Sequence, residues 1–469
     1  MFECRVRSVG GSLWPDIKLP VNKSYYLVLA AIFYLATPSS ARSNTLLTDA
    51  DFRAADPAQA EVGRLLFYDK VLSGNRNISC STCHHPAFGT SDGLSLGIGE
   101  GGIGIGPART TGNGADRIKK RVPRNAPALW NLGAKQIETL MHDGRISHSN
   151  LYGNSFNTPA QEWLPNGLDS VVAAQALFPM TSATEMAGSN EENEVAGAAN
   201  DRVDNAWPII AKRVRSIPAY ADRFIDSFDS IDRAEQINIV HIANALAAFI
   251  NIEFRSTDSP YDQWLAGSQS ALTAKQLKGK SIFYDKAHCD MCHAGSLFSN
   301  QSFKALALPA IGPGRTRPFD LIARDVGRMG ESDRLQDAYR FRVPMLRNVT
   351  LTAPYGHNGT YPTLKAMIKH HLDPLQSRTH WTPDLAELPK ASWLDATDFI
   401  IADDTLEMQR QANHIDINLP ALTDSEVDDI VAFLHSLTGE QAMTQDFYIP
   451  DEVPSGLPID KPDIALQAE

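Results

Sequence analysis

Two short strings in this chain place two thiols and an imidazole at a fixed spacing. Residues 80–84 read Cys-Ser-Thr-Cys-His, and residues 289–293 read Cys-Asp-Met-Cys-His. This pattern is typical of c-type haem attachment, in which the thiols form thioethers with the haem and the histidine ligates the iron from one face. The strings predict two covalently bound haem c groups, held by Cys80, Cys83, His84, Cys289, Cys292 and His293. The chemistry expected is electron transfer or the reduction of peroxide.

Other uses of paired cysteines explain these strings less well. A Cys-x-x-Cys pair can form half of a zinc site or a redox dithiol. Neither use explains why histidine follows directly in both strings. The chain has five cysteines, and the fifth, Cys4, lies in the N-terminal lead, so no thiol remains for a structural disulfide. The net charge of −12 argues against a nucleic-acid partner.

An internal repeat precedes the two strings. Residues 63–70 and 279–286 both begin with glycine and end Phe-Tyr-Asp-Lys, and each predicts the end of a helix that packs on its haem. Further helices are predicted over 234–254, from apolar residues on one face, and over 424–438, where Thr423 and Glu426 form a capping box. A second capping box, Thr273 with Gln276, starts the helix before the second string. No segment predicts a large sheet, so the fold class is mainly α, with two tandem cytochrome-c-like haem domains.

The N-terminus resembles a secretory signal. A basic lead precedes an apolar run at 25–36 and small residues up to Ala41, so cleavage after Ala41 is expected; an uncleaved membrane anchor is the alternative. We therefore predict a signal peptide at 1–41, a first haem domain at 45–258, a second at 259–445 and an extended tail at 446–469. Export to the periplasm suits haem c, which bacteria attach outside the cytoplasmic membrane.

Two further segments extend the pattern beyond the haem strings. Residues 124–131 read Arg-Asn-Ala-Pro-Ala-Leu-Trp-Asn and are followed by Asp-Gly-Arg at 143–145. Residues 342–348 read Arg-Val-Pro-Met-Leu-Arg-Asn and are followed by Leu-Thr-Ala-Pro-Tyr-Gly-His-Asn-Gly at 351–359. Over roughly 55–440, these motifs resemble the bacterial di-haem cytochrome c peroxidases and their relative MauG in order and spacing.

The resemblance implies that the haem at His84 is the peroxidatic one. In the peroxidases a histidine from a Gly-rich loop blocks this iron, but here 97–101 reads Gly-Ile-Gly-Glu-Gly, which implies an open distal site as in MauG. Glu100 stands in that place, either as a labile ligand or simply solvated. The family's distal Gln and Glu, ten residues apart, match Gln175 and Glu185. Glu185 is the expected acid–base catalyst of peroxide cleavage.

The resemblance also implies that the haem at His293 transfers electrons. Its distal ligand, Met in the peroxidases and Tyr in MauG, matches His371 here. Met367 lies one helical turn away and stays the alternative, whereas His370 would face elsewhere. A second histidine would lower the haem potential relative to methionine.

The resemblance extends to three further features of the family, and this sequence differs from the family at one of them. The tryptophan that relays electrons between the haems lies directly before Asp-Gly-Arg in the family, and Met141-His142 stands there instead. His142 could contact a propionate or iron, or simply pack against a backbone partner. The family's calcium ligands match Asn125, Thr352 and Pro354, an oxygen-only set that suits calcium. The arginines that could pair with haem propionates are Arg145, Arg328 and Arg347.

Three functions are consistent with these features. The first is an exported peroxidase that reduces hydrogen peroxide with electrons from a small cytochrome c or cupredoxin. The second is MauG-like, peroxide-dependent oxidation of a partner protein's side chain. The third is an electron-transfer cytochrome without catalysis. We expect no stable membrane span after signal cleavage; the oligomeric state is open, with a homodimer as one option.

Overall fold

The computed structural model describes residues 45–317, 320–444 and 449–462. The predicted signal peptide at 1–41 lies outside the described residues. The fold is mainly helical, as predicted, and short 3-10 turns and loops connect its elements. The helices of the first half are α1 (Pro57–Tyr68), α2 (Cys80–Cys83), α3 (Val171–Ala176), α4 (Glu194–Asp201), α5 (Val203–Arg215), α6 (Pro218–Ser227) and α7 (Ile239–Glu253).

The second half contributes nine more helices within the described residues. They are α8 (Pro260–Leu265), α9 (Ala274–Ser281), α10 (Met329–Ser332), α11 (Leu364–Leu372), α12 (Pro374–His380), α13 (Asp395–Asp398), α14 (Thr405–Asn413), α15 (Asp424–His435) and α16 (Glu440–Thr444). Both predicted capping boxes are confirmed, Thr273 with Gln276 at α9 and Thr423 with Glu426 at α15. No described helix has the length and apolar character needed to cross a membrane.

Strands are short and lie in loops. An antiparallel three-stranded sheet joins β1 (Thr139–Leu140), β2 (Ile146–His148) and β3 (Phe156–Asn157), with Leu140 opposite Ile146 and Ser147 opposite Asn157. A two-stranded ribbon joins β4 (Phe303–Lys304) and β5 (Phe341–Arg342), with Phe303 opposite Arg342.

The internal repeat marks a helix crossing in each half. On α1, a Cβ at Gly63 would lie 1.9 Å from the carbonyl oxygen of Ala245 on α7. On α9, a Cβ at Gly279 would lie 1.8 Å from the carbonyl oxygen of Asp429 on α15. Because only glycine permits such close backbone approach, the repeated glycine brings the helix before each haem string onto a later helix of the same half.

Two apolar cores follow from these crossings. The larger core is built around α1, α3, α5 and α7. The smaller core is rich in aromatic residues, with Phe283 and Phe298 packed edge-on against Phe433 and Tyr261 respectively. Both cores lie in one compact body, and the domain boundary at 258/259 stays a prediction.

The C-terminal segment 449–462 runs over the first core without helix or strand. Val453 is buried there, and Ser455 donates a hydrogen bond to Asp69 at 2.7 Å. Asp460 accepts a hydrogen bond from Thr82, inside the first haem string, and pairs with Lys70 at 2.6 Å. This segment therefore braces the turn that carries the first pair of thiols.

Candidate haem site

One cavity of about 560 Å³ is lined by both haem strings. The predicted residues that line it are Cys80, Cys83, His84, Gln175, Glu185, Cys289, Cys292, His293, Met367 and His371. Residues more than 280 positions apart in the chain therefore face a shared space. The pKa of the Cys80, Cys83 and Cys289 thiols is raised to about 12, chiefly by burial, so these cysteines are neutral thiols in the protein alone.

In each haem string, a hydrogen bond to a backbone carbonyl orients the histidine. The Nδ1 of His84 hydrogen-bonds the carbonyl oxygen of Thr90 at 3.0 Å, and the Nδ1 of His293 hydrogen-bonds that of Phe298 at 3.0 Å. When Nδ1 donates, Nε2 keeps a free lone pair, and a metal-ligating histidine needs this arrangement. Burial lowers the pKa of both imidazoles, which favours the neutral, ligating form.

The distal side of the first string is built from glycine backbone and two polar side chains. Gln175 lies near the end of α3. Glu185 lies in the turn after Pro179, where its amide donates to the Ser182 carbonyl and the next residue, Met186, is buried. Gly97 and Gly99 line the same cavity. A Cβ at Gly99 would lie 2.1 Å from the Thr184 carbonyl oxygen, so the loop can pass the Glu185 turn only with glycine at this position.

Glu100 does not line the cavity. Its Oε1 accepts hydrogen bonds from Asn75 and Asn77, each at 2.8 Å. These amides hold one carboxylate oxygen away from the cavity, and the other oxygen, Oε2, is buried without a hydrogen-bond partner. In this arrangement Glu100 is a structural anchor of the loop.

The distal side of the second string carries a histidine. His371, near the end of α11, has its Nδ1 bonded to the Met367 carbonyl oxygen at 2.9 Å, and its proximity further lowers the pKa of His293 beyond the effect of burial. His370 points away from the cavity, because its ring nitrogens bond Tyr361 at 2.9 Å and Leu306 at 2.8 Å. Met367 also lines the cavity.

The candidate propionate arginines differ in whether they line the cavity and whether protein acceptors already bind them. Arg347 lines the cavity, but it is bonded to Asp262 at 2.7 and 2.8 Å and to the Ser296 carbonyl. Arg328 donates to the carbonyls of Asp143 and Gly144 and does not line the cavity. Arg328 therefore does not fit the expected propionate role, and the charge of Arg347 is already paired with Asp262.

Arg342 was not expected as a propionate partner, yet it fits that role. It lines the cavity, and its Nη1 is buried without a hydrogen-bond acceptor. Burial lowers its pKa to about 10. A buried cation with an unused donor is costly unless an anion accepts from it, and a haem propionate is such an anion. Its place in the motif 342–348, close after the second string, was the available signal.

Asp143 forms an ionic cluster that ties the two halves together. The carboxylate accepts hydrogen bonds from Arg124 at 2.7 Å, Arg145 at 3.1 Å and Arg315. These cations hold the pKa of Asp143 well below its usual range despite burial. Arg145 also lines the cavity, with Glu185 close enough to raise its pKa slightly against the dominant effect of burial.

The region of the expected relay tryptophan contains imidazoles instead. His142 bonds the Asn125 carbonyl through Nε2 at 3.0 Å, and burial lowers its pKa to about 4. Nearby, His357 stacks on Phe341 with ring centroids 3.5 Å apart and planes 6° from parallel. His142 is thus a packed histidine with a backbone partner, beside a stacked aromatic pair.

The three residues matched to calcium ligands are part of the cavity wall. Asn125, Thr352 and Pro354 all line it, and the Asn125 amide donates to the Leu94 carbonyl at 2.8 Å. Calcium binding there stays a prediction. Among the described residues, no cluster of three or more His, Cys, Asp or Glu side chains could hold a metal ion.

Comparisons with known proteins point to one family. Residues 57–270 match the family model for di-haem cytochrome c peroxidase. The methylamine utilization protein MauG of Methylorubrum extorquens is 27% identical over 67% of this chain and 69% of its own length. The cytochrome c peroxidase Ccp of Escherichia coli K12 is 28% identical over 82% of this chain, which spans 59% of that relative's length.

The fold is shared with solved structures as well. A crystal structure described as a MauG-like protein associated with microbial copper homeostasis superposes with a TM-score of 0.55 and 25% identity, over 88% of this chain and 99% of that one. Residues 57–270 therefore belong to the family of di-haem cytochrome c peroxidases. The relatives named peroxidases make the protein an oxidoreductase of the peroxidase type.

Proposed function

We propose that this protein reduces hydrogen peroxide to water at the haem carried by His84, with electrons received through the haem carried by His293. When bound, the two haems supply the iron that reacts with peroxide and the path by which electrons arrive. The observation that carries the proposal is the shared cavity, in which both strings and Glu185 meet. The steps below concern what the chain's own residues contribute.

Glu185 is the proposed acid–base catalyst. Peroxide cleavage needs one group to take the proton from the near oxygen and return it to the leaving oxygen. Glu185 lies on the cavity wall, and no hydrogen bond to another side chain ties up its carboxylate in the described structure. Gln175, on the same wall, is placed to orient the peroxide by hydrogen bonding.

The second string is the proposed entry point for electrons. Within it, Met291 has 73% of its surface exposed, so this string borders the solvent. His293 and His371 are proposed as the two axial ligands of its iron, with Met367 as the alternative to His371. A small cytochrome c or cupredoxin is the proposed donor, and export to the periplasm is the proposed setting.

Exchanging Glu185 for glutamine tests the catalytic assignment. The variant keeps the shape of the side chain and removes its proton-shuttling capacity, so turnover of peroxide by the holoprotein with a reduced small cytochrome should fall about 10²- to 10⁴-fold. Glu100→Gln is the matched control, because Glu100 lies on the adjacent loop but outside the cavity. A Glu185→Gln protein as fast as its parent would remove the proposed role.

MauG-like oxidation of a partner protein is the second candidate. The observation that favours it is that His371 lines the same cavity as His293, since a second histidine as ligand would stabilise the oxidised haem more than methionine does. Anaerobic addition of peroxide without a donor, followed by mass spectrometry of candidate partner proteins, would distinguish the two tasks. An unmodified partner together with rapid cytochrome turnover supports the peroxidase.

A further inference from the structure

A segment from the second half of the chain packs against the loop that contains Gly97 and Gly99, near the first haem string. We call residues 386–398 the latch and residues 94–122 the distal loop. The amide of Ser95 donates to the Glu387 carbonyl at 3.0 Å, and the amide of Glu387 donates to the Ser95 hydroxyl at 2.8 Å. Thr111 donates to the Lys390 carbonyl at 2.8 Å. The two segments are therefore joined through backbone groups more than 270 positions apart.

A buried ion pair closes this contact. Arg121 donates to Asp398 through Nε at 2.8 Å and through Nη2 at 2.9 Å, and a further bond from Nη2 reaches the Pro389 carbonyl at 2.8 Å. The two side chains are 2% and 4% exposed. Removing one member would leave an uncompensated buried charge, so the pair resists separation of loop and latch.

Apolar contacts surround the ion pair. Ala391 and Leu394 of the latch form a small core with Leu94, Ile98 and Ile118 of the distal loop. Trp393 donates from Nε1 to the Ile118 carbonyl at 2.9 Å, and the guanidinium of Arg117 lies 4.1 Å above its ring. The latch thus fills a face of the loop that would otherwise be open to water.

The gripped part of the loop leads directly to the catalytic face. Val122, next to Arg121, donates to the Gly97 carbonyl at 3.1 Å. Arg109 donates to the carbonyls of Ile98 at 2.6 Å and Gly99 at 2.8 Å. Gly99 in turn abuts the backbone of Glu185. A displacement at Arg121 would therefore be transmitted to the position of Glu185.

We infer that the latch is a positioning element for the first haem site. It holds the distal loop against the Glu185 turn, so the peroxide-binding face stays open and the carboxylate stays in place. Arg121, Asp398 and Trp393 are its positioning residues. The inference rests on the proposed function for its catalytic meaning, while the grip of the latch on the loop can be measured separately.

Hydrogen–deuterium exchange of the ferric holoprotein tests the grip. Asp398→Asn removes the charge while keeping the shape. Trp393→Phe removes the indole hydrogen bond and part of the aromatic surface under Arg117 but leaves the ion pair intact, which provides a milder variant if the first does not fold. Amides in 94–122 should exchange about tenfold faster or more in Asp398→Asn and less markedly faster in Trp393→Phe. Asp262→Asn is the matched control, because it breaks an equally buried ion pair with Arg347 that does not touch the loop.

Electron paramagnetic resonance supplies a readout that general destabilisation would not move. The signal of the first haem should change in Asp398→Asn while that of the second haem stays as in the parent. Unchanged exchange of 94–122 in both latch variants, or an equal increase in Asp262→Asn, would overturn the inference. If Glu185→Gln keeps full activity while the latch variants still release the loop, the proposed function fails and the grip of the latch stands.

Discussion

The two haem strings sit in similar proximal surroundings but face different distal walls. Each string follows a helix with the repeated glycine, and each histidine is fixed through Nδ1 by a backbone carbonyl at 3.0 Å. The cavity wall near the first string includes Gly97, Gly99 and Glu185, whereas the wall near the second string includes His371. The two strings are therefore held alike by backbone carbonyls and differ in the side chains that line the cavity near them.

Under the proposed function, the first site must keep one face free for peroxide, and the two sites differ in the elements near that face. At the first site the loop carries glycine at 97 and 99, and Glu100 is bonded to Asn75 and Asn77 and does not line the cavity. At the second site a helix places an imidazole toward the cavity. We accordingly expect changes to the first wall to affect peroxide turnover and changes to the second to affect potential.

The largest effect is expected from Gly99→Ala. The new Cβ would lie within 2.1–2.7 Å of backbone atoms of Thr184 and Glu185, which cannot rotate away. Shifting the Glu185 turn by an ångström would lower kcat/KM for peroxide by about 10²-fold and cost about 1–3 kcal/mol of stability. Steady-state kinetics and thermal unfolding measure both. Gly330→Ala, where the nearest atom lies at 3.5 Å, should behave like the parent; equal behaviour of the two variants would contradict the close contact.

His371→Met probes the second wall. Replacing imidazole by thioether should raise the potential of the second haem on the order of 0.1 V, because methionine stabilises the reduced iron relative to histidine. Spectroelectrochemical titration of the holoprotein measures the shift. Met367→Leu should leave the potential nearly unchanged. A large shift in Met367→Leu, with none in His371→Met, would assign the distal ligand to Met367.

A smaller, pH-dependent effect is expected from Asp92, a buried carboxylate on the wall of the first site. Burial raises its pKa to about 7, and its Oδ2 has no hydrogen-bond partner. Since the folded pKa exceeds the ordinary value near 4, the contribution of Asp92 to stability is complete below pH 4 and is lost as pH rises through 7. Between pH 5 and pH 8 the parent should lose on the order of 2 kcal/mol that Asp92→Asn retains.

Urea unfolding at the two pH values measures this difference. Asp143→Asn provides a contrast of opposite sign, because three arginines stabilise the charged form of Asp143 and the variant should be less stable at pH 8. An Asp92→Asn protein with the same pH dependence as the parent would show that Asp92 does not carry this change.

Much of the local structure could be predicted from short patterns. The haem strings, the capping boxes at α9 and α15 and the helix at 239–253 depend on residues close in sequence. The propionate arginines were harder to assign, because Arg342 and Arg347 lie in one motif and differ only in their distant partners. Arg347 is bonded to Asp262. Arg342 lines the cavity and has a buried N–H donor without an acceptor.

The sequence by itself determined which residues can attach haem and where the chain forms helices, because thioether spacing and capping are local properties. Only the tertiary structure decided that Glu185 shares a cavity with both strings, that Glu100 bonds Asn75 and Asn77 away from that cavity, and that residues 386–398 contact the distal loop. These features depend on contacts between segments far apart in the chain, and local patterns carry no information on which distant partner a side chain will meet.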